Sequence, residues 1–387
     1  MSLLEYKKYE PFFGAWYFDG DACTLGSGTF GSVFCIKRFD ANVKPSALKI
    51  ITIPKSDSEI NTHRSEGMTN DDIKNYYKKM VDDIKGEYEL MSELKGCSNI
   101  VSCEDFMAYQ HEDGIGYDIF IRMELLTPLI QYENSRGLTE LEIMKFGIDM
   151  CNALDRCESK KIIHRDIKPD NIFISDMGDF KLGDFGIART MESSIRMMSR
   201  KGTPNYMAPE VYFSKPYDHT ADIYSLGIVM YRMLNNSRLP FLPQPPATVG
   251  REEREQAFLK RIRGEVPERP VYGDEALKSI VMKACAFTSH DRYHHARDMK
   301  NDLELVYSII KNGQEVPKQF AIDLDATVAM TNVGLNTGQI VSEDRESISS
   351  ILTSFHCLRS RINMPVTINT IVTKNMYPAN PYLFLAI

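Results

Sequence analysis

The stretch His164-Arg165-Asp166-Ile167-Lys168-Pro169-Asp170-Asn171, followed thirteen residues later by Asp184-Phe185-Gly186, decides the fold of this chain. Asp166 is a candidate general base and Lys168 a candidate cation. Asn171 and Asp184 offer the hard oxygen ligands that suit Mg2+. Phosphoryl transfer needs such a set, because its loose transition state is stabilised by positioning and charge. Each residue alone is equally well explained by a turn or a cap, so the prediction depends on the complete set in this order.

A glycine-rich segment upstream is a candidate phosphate-binding loop. It comprises Leu25, Gly26, Ser27, Gly28, Thr29, Phe30, Gly31, Ser32 and Val33. The glycine spacing also matches a dinucleotide fingerprint, which requires a helix to follow. Residues 32–37 instead alternate polar and apolar, which predicts a strand. The P-loop sequence G-x-x-x-x-G-K-[ST] does not occur, which disfavours a P-loop NTPase. The pattern favours a glycine hairpin whose backbone approaches phosphates closely.

Together these motifs resemble the loops of the Hanks-type (eukaryotic-type) serine/threonine protein kinases. Their residue sequences are most similar to those of the bacterial members. The resemblance implies an α+β, two-lobed protein kinase fold with a small β-rich N-lobe, a regulatory helix and a larger helical C-lobe. It implies the following division: an extension at 1–15, a kinase domain at 16–311 (N-lobe 16–123, hinge 124–127, C-lobe 128–311) and a tail at 312–387.

The resemblance also implies a binding site for ATP with Mg2+, or Mn2+ as the alternative ion, on Asn171 and Asp184. Ala47-Leu48-Lys49-Ile50 matches the family's third strand, which places Lys49 on the α- and β-phosphates. Its expected partner is Glu87, with Glu89 as the second choice. Asp166 is expected to accept the proton of the acceptor hydroxyl, and Lys168 to contact the transferred phosphate. The expected adenine-binding residues are Val33, Ala47, Met123, Glu124, Leu126 and Phe173.

The segment between Lys49 and Glu87 is longer than the family usually allows. Residues 54–68 are polar and predict an exposed loop. A Thr-x-x-Asp cap at Thr69 then begins apolar residues at helical spacing. Two interpretations are equally supported: a regulatory helix extended by several turns and interrupted at Gly86, or a separate short helix before the usual one.

Residues 202–210 match the family's A-P-E region, which implies a platform for a polypeptide substrate with a Ser or Thr acceptor. In the family, Asp222 would brace the catalytic loop and Arg292 would pair with Glu210. A capping-box sequence at Thr139 predicts a helix that runs to about Ser159.

Arg165 points to regulation, because the family commonly pairs this arginine with a phosphate on the activation segment. The expected autophosphorylation sites are Ser193, Ser194 and Ser199, whereas Thr203 is expected in the substrate platform. Phosphorylation of one copy by another would make a homodimer the expected partner state.

Composition excludes several classes. The chain has 387 residues, 43% of them hydrophobic, which is ample for a core. Its net charge of −7 gives no reason to expect nucleic acid. Eight cysteines without C-x-x-C pairs predict reduced thiols and a cytoplasmic location. No apolar run reaches about 18 residues, so no membrane span is expected.

Alternatives remain for the function and the tail. A pseudokinase scaffold would normally lack Lys49, Asp166, Asn171 or Asp184, and a small-metabolite kinase would lack the A-P-E platform. A kinase gated by a partner is the further alternative. The tail has strand-like runs at 320–324, 366–373 and 382–387. They would suit a packed appendage, a partner-binding element or the start of a sensor domain.

Overall fold

The computed structural model describes residues 3–20, 23–28, 31–185, 205–322 and 324–325, without the side chains of residues 27 and 28. The chain divides into two compact units, Met1–Val333 and Gly334–Ile387, and every described residue belongs to the first. The predicted phosphorylation sites Ser193, Ser194 and Ser199, together with Thr203, lie outside the described residues, as do Thr29 and Phe30.

An antiparallel sheet forms the N-lobe. Its strands are β1 (Tyr17–Phe18), β2 (Thr24–Gly28), β3 (Gly31–Lys37), β4 (Ser46–Ile53), β5 (Cys103–Gln110) and β6 (Tyr117–Glu124). The order is β1-β3-β4-β6-β5, with β2 also paired to β3. The predicted glycine hairpin and the strand after it are therefore confirmed as β2 and β3.

The two faces of this sheet have different roles because side chains alternate along a strand. Phe34, Leu48 and Phe120 point to one face, where the N-terminal segment covers them. That segment contains α1 (Leu3–Tyr6), a 3-10 turn (Lys7–Tyr9) and a bridge between Phe12 and Trp16. It forms a separate aromatic core with the sheet. Lys49 has the opposite parity in β4 and lies on the other face.

Two helices connect β4 to β5: α2 (Asp57–Ser65) and α3 (Asn70–Glu93). The prediction of a loop at 54–68 is wrong, because residues 57–65 are helical and Ile60 is buried. The prediction of a helix beginning after Thr69 is confirmed by a capping box with Asp72. This helix continues through Gly86 for 24 residues, so the extended-helix interpretation is correct and the interruption is absent.

The C-lobe is helical and surrounds one buried helix. Its helices are α4 (Leu129–Arg136), α5 (Glu140–Ser159), α6 (Pro209–Tyr212), α7 (Thr220–Leu234), α8 (Arg251–Ile262), α9 (Glu275–Ala284) and α10 (Ala296–Lys311). Almost every residue of α7 is buried. The predicted helix from Thr139 is confirmed as α5, with Glu142 completing the capping box.

A small antiparallel sheet brings the catalytic stretch to the surface of this lobe. It consists of β7 (Thr127–Pro128), β8 (Ile172–Ile174) and β9 (Phe180–Leu182), in that order. A 3-10 turn, Pro169–Asn171, directly precedes β8, and the Asp184 segment directly follows β9. The pairing of β8 with β9 therefore holds the two halves of the catalytic sequence side by side.

The segment after α10 returns to the C-lobe. Residues 318–322 are helical, so the strand predicted at 320–324 is wrong. Phe320 and Leu324 are buried in the main core, as residues four apart on one helical face can be. Arg269 and Asp325 form an ion pair at 2.8 Å. This part of the tail therefore packs on the C-lobe.

Two expectations from composition have structural counterparts. Within the described ranges, no helix has both the length and the apolar character needed to cross a membrane. The cysteines in those ranges are free thiols: Cys23, Cys35, Cys97, Cys103, Cys151, Cys157 and Cys285.

Candidate active site

Asp222 fixes the backbone of the catalytic loop. Its two carboxylate oxygens accept hydrogen bonds from the backbone N–H groups of His164 (2.7 Å) and Arg165 (2.8 Å). Asp222 is only 2% exposed, so these charge-assisted bonds form away from water. Arg165 has a φ of 68°, a conformation that a non-glycine residue adopts only when its surroundings hold it there.

Asp166 lies at the centre of a small polar network. Its Oδ2 accepts hydrogen bonds from Lys168 Nζ at 2.8 Å and from Asn171 Nδ2 at 2.9 Å. Asn171 Nδ2 also donates to the backbone carbonyl of Asp166 at 2.8 Å. The carboxylate is thereby held in one orientation while remaining partly exposed to solvent.

The Lys49 side chain extends from β4 to Asp184, which follows β9. Its Nζ forms an ion pair with Asp184 Oδ1. Lys49 is 8% exposed, whereas the Asp184 side chain is 39% exposed. Asp184 has a φ of 51°, which is again uncommon for a non-glycine residue. The structure thus brings together one cation and one carboxylate that are far apart in the sequence.

The two candidate partners of Lys49 on α3 differ in environment. Glu87 is half-buried. Glu89 is exposed and lies 3.7 Å from Lys85 Nζ one helical turn away. Glu87 as the partner of Lys49 stays a prediction, since the contact described for Lys49 Nζ is with Asp184.

Gly31, in the glycine hairpin, lies close to the backbone of β4. Gly31 has a φ of 132°, and a Cβ built on it would lie 2.1 Å from the carbonyl oxygen of Ile50. Only glycine fits there without a shift of the backbone. Gly28 pairs with Gly31 and Ser27 with Ser32. Leu25 is exposed, as expected of a residue at the edge of a cleft.

Strand register places Val33, Ala47 and Met123 on three adjacent strands of the N-lobe sheet. Ala47 pairs with Met123 across β4 and β6, and Val33 pairs with Lys49 across β3 and β4. Phe173 on β8 pairs with Pro128, which follows the hinge. Glu124 ends β6, and Leu126 lies half-buried in the hinge.

Sequence reasoning missed Lys181 and Ser102, which hold Glu124 of the hinge in place. Glu124 Oε1 accepts hydrogen bonds from Lys181 Nζ at 2.8 Å and from the backbone N–H of Ser102 at 2.7 Å. Lys181 belongs to β9, so the hinge is tied to the strand that leads to Asp184. The usable signal was the lysine within Lys-Leu-Gly-Asp, which alone does not reveal its partner.

Buried rings lie next to Arg165 and Asp184 in the sequence. His164 and Phe185 are buried, and their rings meet edge to face with centroids 4.6 Å apart. Cys103 is also buried, and burial raises the pKa of its thiol to about 12. This thiol is therefore neutral at physiological pH and acts as an apolar side chain here.

Glu210 and Arg292 form the predicted buried pair. The Arg292 guanidinium donates to both Glu210 oxygens, at 2.6 and 2.9 Å. Arg165, in contrast, has an exposed side chain whose Cζ lies 5.5 Å from the centroid of the Tyr217 ring. Tyr217 was also missed by sequence reasoning.

The residues proposed for the metal fit that role chemically. Both hydrogen bonds of the Asn171 amide use Nδ2, which leaves its carbonyl oxygen for a cation. Asp184 adds a carboxylate that is accessible to solvent. Amide and carboxylate oxygens are ligands that Mg2+ accepts.

Comparison with known proteins agrees with this geometry. The protein kinase domain model matches residues 21–303, and the chain therefore belongs to the protein kinase family. The prediction of a Hanks-type kinase with an α+β, two-lobed fold is confirmed.

Named relatives are serine/threonine kinases from eukaryotes and bacteria. The probable serine/threonine-protein kinase nek3 of Dictyostelium discoideum is 30% identical over 67% of this chain and 21% of its own length. PrkC of Bacillus subtilis is 30% identical over 59% of this chain and 34% of its own. Serine/threonine-protein kinase 36 of Pongo abelii is 35% identical over 54% of this chain and 14% of its own length. The chain thus spans between 14% and 34% of the length of these relatives.

Proposed function

We propose that this protein transfers the γ-phosphate of ATP to serine or threonine hydroxyls of proteins. The observation that carries the proposal is the convergence of Lys49 with Asp184 beside the Asp166 network. The family match and the names of the relatives support the same chemistry.

The chain's own groups account for the chemistry. Asp166, held by Lys168 and Asn171, orients the acceptor hydroxyl and accepts its proton. Lys49 positions the α- and β-phosphates and Lys168 contacts the transferred group, so the charge that develops in the transition state faces fixed cations. A divalent ion on Asn171 and Asp184 would supply Lewis-acid neutralisation of the phosphates. Mg2+ is the proposed ion and Mn2+ the alternative.

Regulation and location are further parts of the proposal. We expect autophosphorylation among Ser193, Ser194 and Ser199, in trans between two copies, with the phosphate drawn to Arg165. The expected substrates are proteins, not nucleic acids, and the expected location is the cytoplasm. A partner-gated kinase or a scaffold is the alternative, which the long α3 helix and the tail would suit.

Purified protein incubated with labelled ATP and Mg2+, alone and with a generic basic substrate, tests the proposal beside Asp166→Asn. We expect phosphoserine or phosphothreonine that disappears in the variant. A rate per molecule that rises with protein concentration would support phosphorylation in trans. Nucleotide binding without any phosphate transfer would contradict kinase activity of the isolated chain and favour the scaffold or the gated kinase.

A further inference from the structure

Three potential metal ligands from distant parts of the sequence meet in the C-lobe. Glu158 is the penultimate residue of α5, His219 directly precedes α7, and His295 directly precedes α10. Their donor atoms all lie within 4.8 Å of one another. Glu158 Oε1 is 2.5 Å from His295 Nδ1 and 3.5 Å from His219 Nε2. Two imidazoles and one carboxylate thus converge on a single point.

A second observation concerns the other oxygen of this carboxylate. Glu158 Oε2 is buried and makes no hydrogen bond within the part of the chain that the structure describes. A buried polar atom without a partner costs free energy, and a cation held by the carboxylate would supply that interaction. The two histidine rings are nearly parallel, with 8° between their planes and 5.7 Å between centroids.

We propose that Glu158, His219 and His295 bind a divalent transition-metal ion of the zinc class. Imidazole nitrogen and carboxylate oxygen are ligands of such ions, and three protein ligands with one open position form a common set. Neighbouring ligand atoms around a tetrahedral Zn2+ lie about 3.3 Å apart. The separation of Glu158 Oε1 and His219 Nε2, at 3.5 Å, is close to this value. Glu158 Oε1 and His295 Nδ1 are at hydrogen-bond distance, 2.5 Å, and must move apart when the ion replaces the proton between them. Mg2+ prefers oxygen ligands, which separates this site from the one on Asn171 and Asp184.

The ligands are accessible to an ion from solvent. The side chains of His295 and His219 are 56% and 29% exposed. His219 Nε2 lies 2.6 Å from the backbone carbonyl oxygen of His294, to which it donates a hydrogen bond when that nitrogen is protonated. Metal binding would replace this proton, and it requires the His219 ring to turn from the His294 carbonyl toward Glu158, because a Zn–N bond is about 2 Å long.

The position of the site indicates what the metal would do. It would join the end of α5 to the starts of α7 and α10. His219 lies three residues before Asp222, which holds the catalytic loop through His164 and Arg165. The ion would therefore stabilise the helix end that anchors the catalytic loop, without contacting any residue proposed to act on ATP.

The test uses the full-length chain, stripped with a chelator and titrated with Zn2+ in the absence of nucleotide. Four proteins are compared by calorimetry and thermal unfolding: the unmodified chain, Glu158→Gln, His295→Ala and the matched control His290→Ala. His290 belongs to the same loop region, is 73% exposed and lies outside the cluster. We expect one equivalent of Zn2+ to bind the unmodified chain and the control at least tenfold more tightly than the two ligand variants. The melting temperature should rise with Zn2+ only in the first two.

Other groups that bind Zn2+, such as the partly buried thiols of Cys35, Cys97 and Cys285, are common to all four proteins and cancel in the comparison. Co2+ gives an independent readout, because its visible absorption reports the ligand set and should be lost in Glu158→Gln. This variant is nearly isosteric and keeps the test valid if His295→Ala fails to fold, which circular dichroism would reveal. Equal Zn2+ binding by all four proteins, no binding by the unmodified chain, or loss of binding in His290→Ala would each overturn the assignment.

Discussion

The Arg292 guanidinium and the Glu210 carboxylate form a bidentate ion pair, with nitrogen–oxygen distances of 2.6 and 2.9 Å. The Arg292 side chain is fully buried, and it also donates to the carbonyl oxygens of Ala286, Thr220 and Phe287. The pair therefore joins the first turn of α6 to the loop between α9 and α10.

Removal of one member of this pair should be strongly destabilising. Glu210→Ala leaves a buried guanidinium without its counter-charge, which typically costs about 3–5 kcal/mol. Glu304→Ala is the control, because Glu304 is 49% exposed and forms a surface ion pair with Lys300 at 3.6 Å. Loss of such a surface pair should cost less than about 1 kcal/mol. Chemical denaturation measures both. Similar midpoints for the two variants would mean that the buried pair contributes little.

Asp222→Asn tests the anchor of the catalytic loop. An amide has one acceptor oxygen, so its NH2 group must face the N–H of either His164 or Arg165, and one buried donor loses its partner. We expect a loss of about 1–3 kcal/mol in the free energy of unfolding. Phosphate transfer should fall as well, because Arg165 at φ 68° is held by this bond.

Asp218→Asn is the matched control for Asp222→Asn. Asp218 accepts hydrogen bonds from Thr220 through a single oxygen, Oδ1, which an asparagine can replace. Its effect on unfolding and on phosphate transfer should be the smaller of the two. If both variants retained full activity and stability, the proposed bracing of the loop by Asp222 would be refuted.

Phe12→Ala tests whether the N-terminal segment is part of the kinase fold. Phe12 is 1% exposed, and its ring lies 4.9 Å from that of Phe18 and 5.5 Å from that of Phe120. The cavity left by the substitution should cost about 3–5 kcal/mol. Leu4→Ala, at a position 72% exposed, should change stability by less than about 0.5 kcal/mol. A neutral Phe12→Ala would show that residues 3–18 unfold independently.

The sequence predicted those parts of the molecule whose chemistry is local. The catalytic stretch, the glycine hairpin and the two capping boxes each carry their signal within a few neighbouring residues. The helix α2 was missed because its residues are polar and its only buried side chain, Ile60, becomes informative once α3 is beside it.

Contacts between distant segments could not be predicted from one sequence. Trp16 lies under the guanidinium of Arg122, 4.6 Å from its Cζ, although nothing in either segment indicates the other. The same holds for Glu158, His219 and His295, which meet only because three helix ends do. Residues 320–324 were assigned to a strand from composition, and the spacing of Phe320 and Leu324 was the helical signal that this assignment overlooked.

Gly31→Ala and Gly26→Ala together test the geometry of the glycine hairpin. The alanine methyl at 31 would lie 2.1 Å from the Ile50 carbonyl oxygen, and the backbone at φ 132° is unfavourable for it. At Gly26 the methyl would meet no atom within 4 Å. Gly31→Ala should therefore cost about 1–3 kcal/mol in strain and weaken ATP binding, because β3 must move away from Lys49 in β4. Gly26→Ala should leave the unfolding midpoint almost unchanged. Denaturation and calorimetric titration with ATP measure the two effects, and equal stability of the two variants would contradict the close approach of Gly31 to β4.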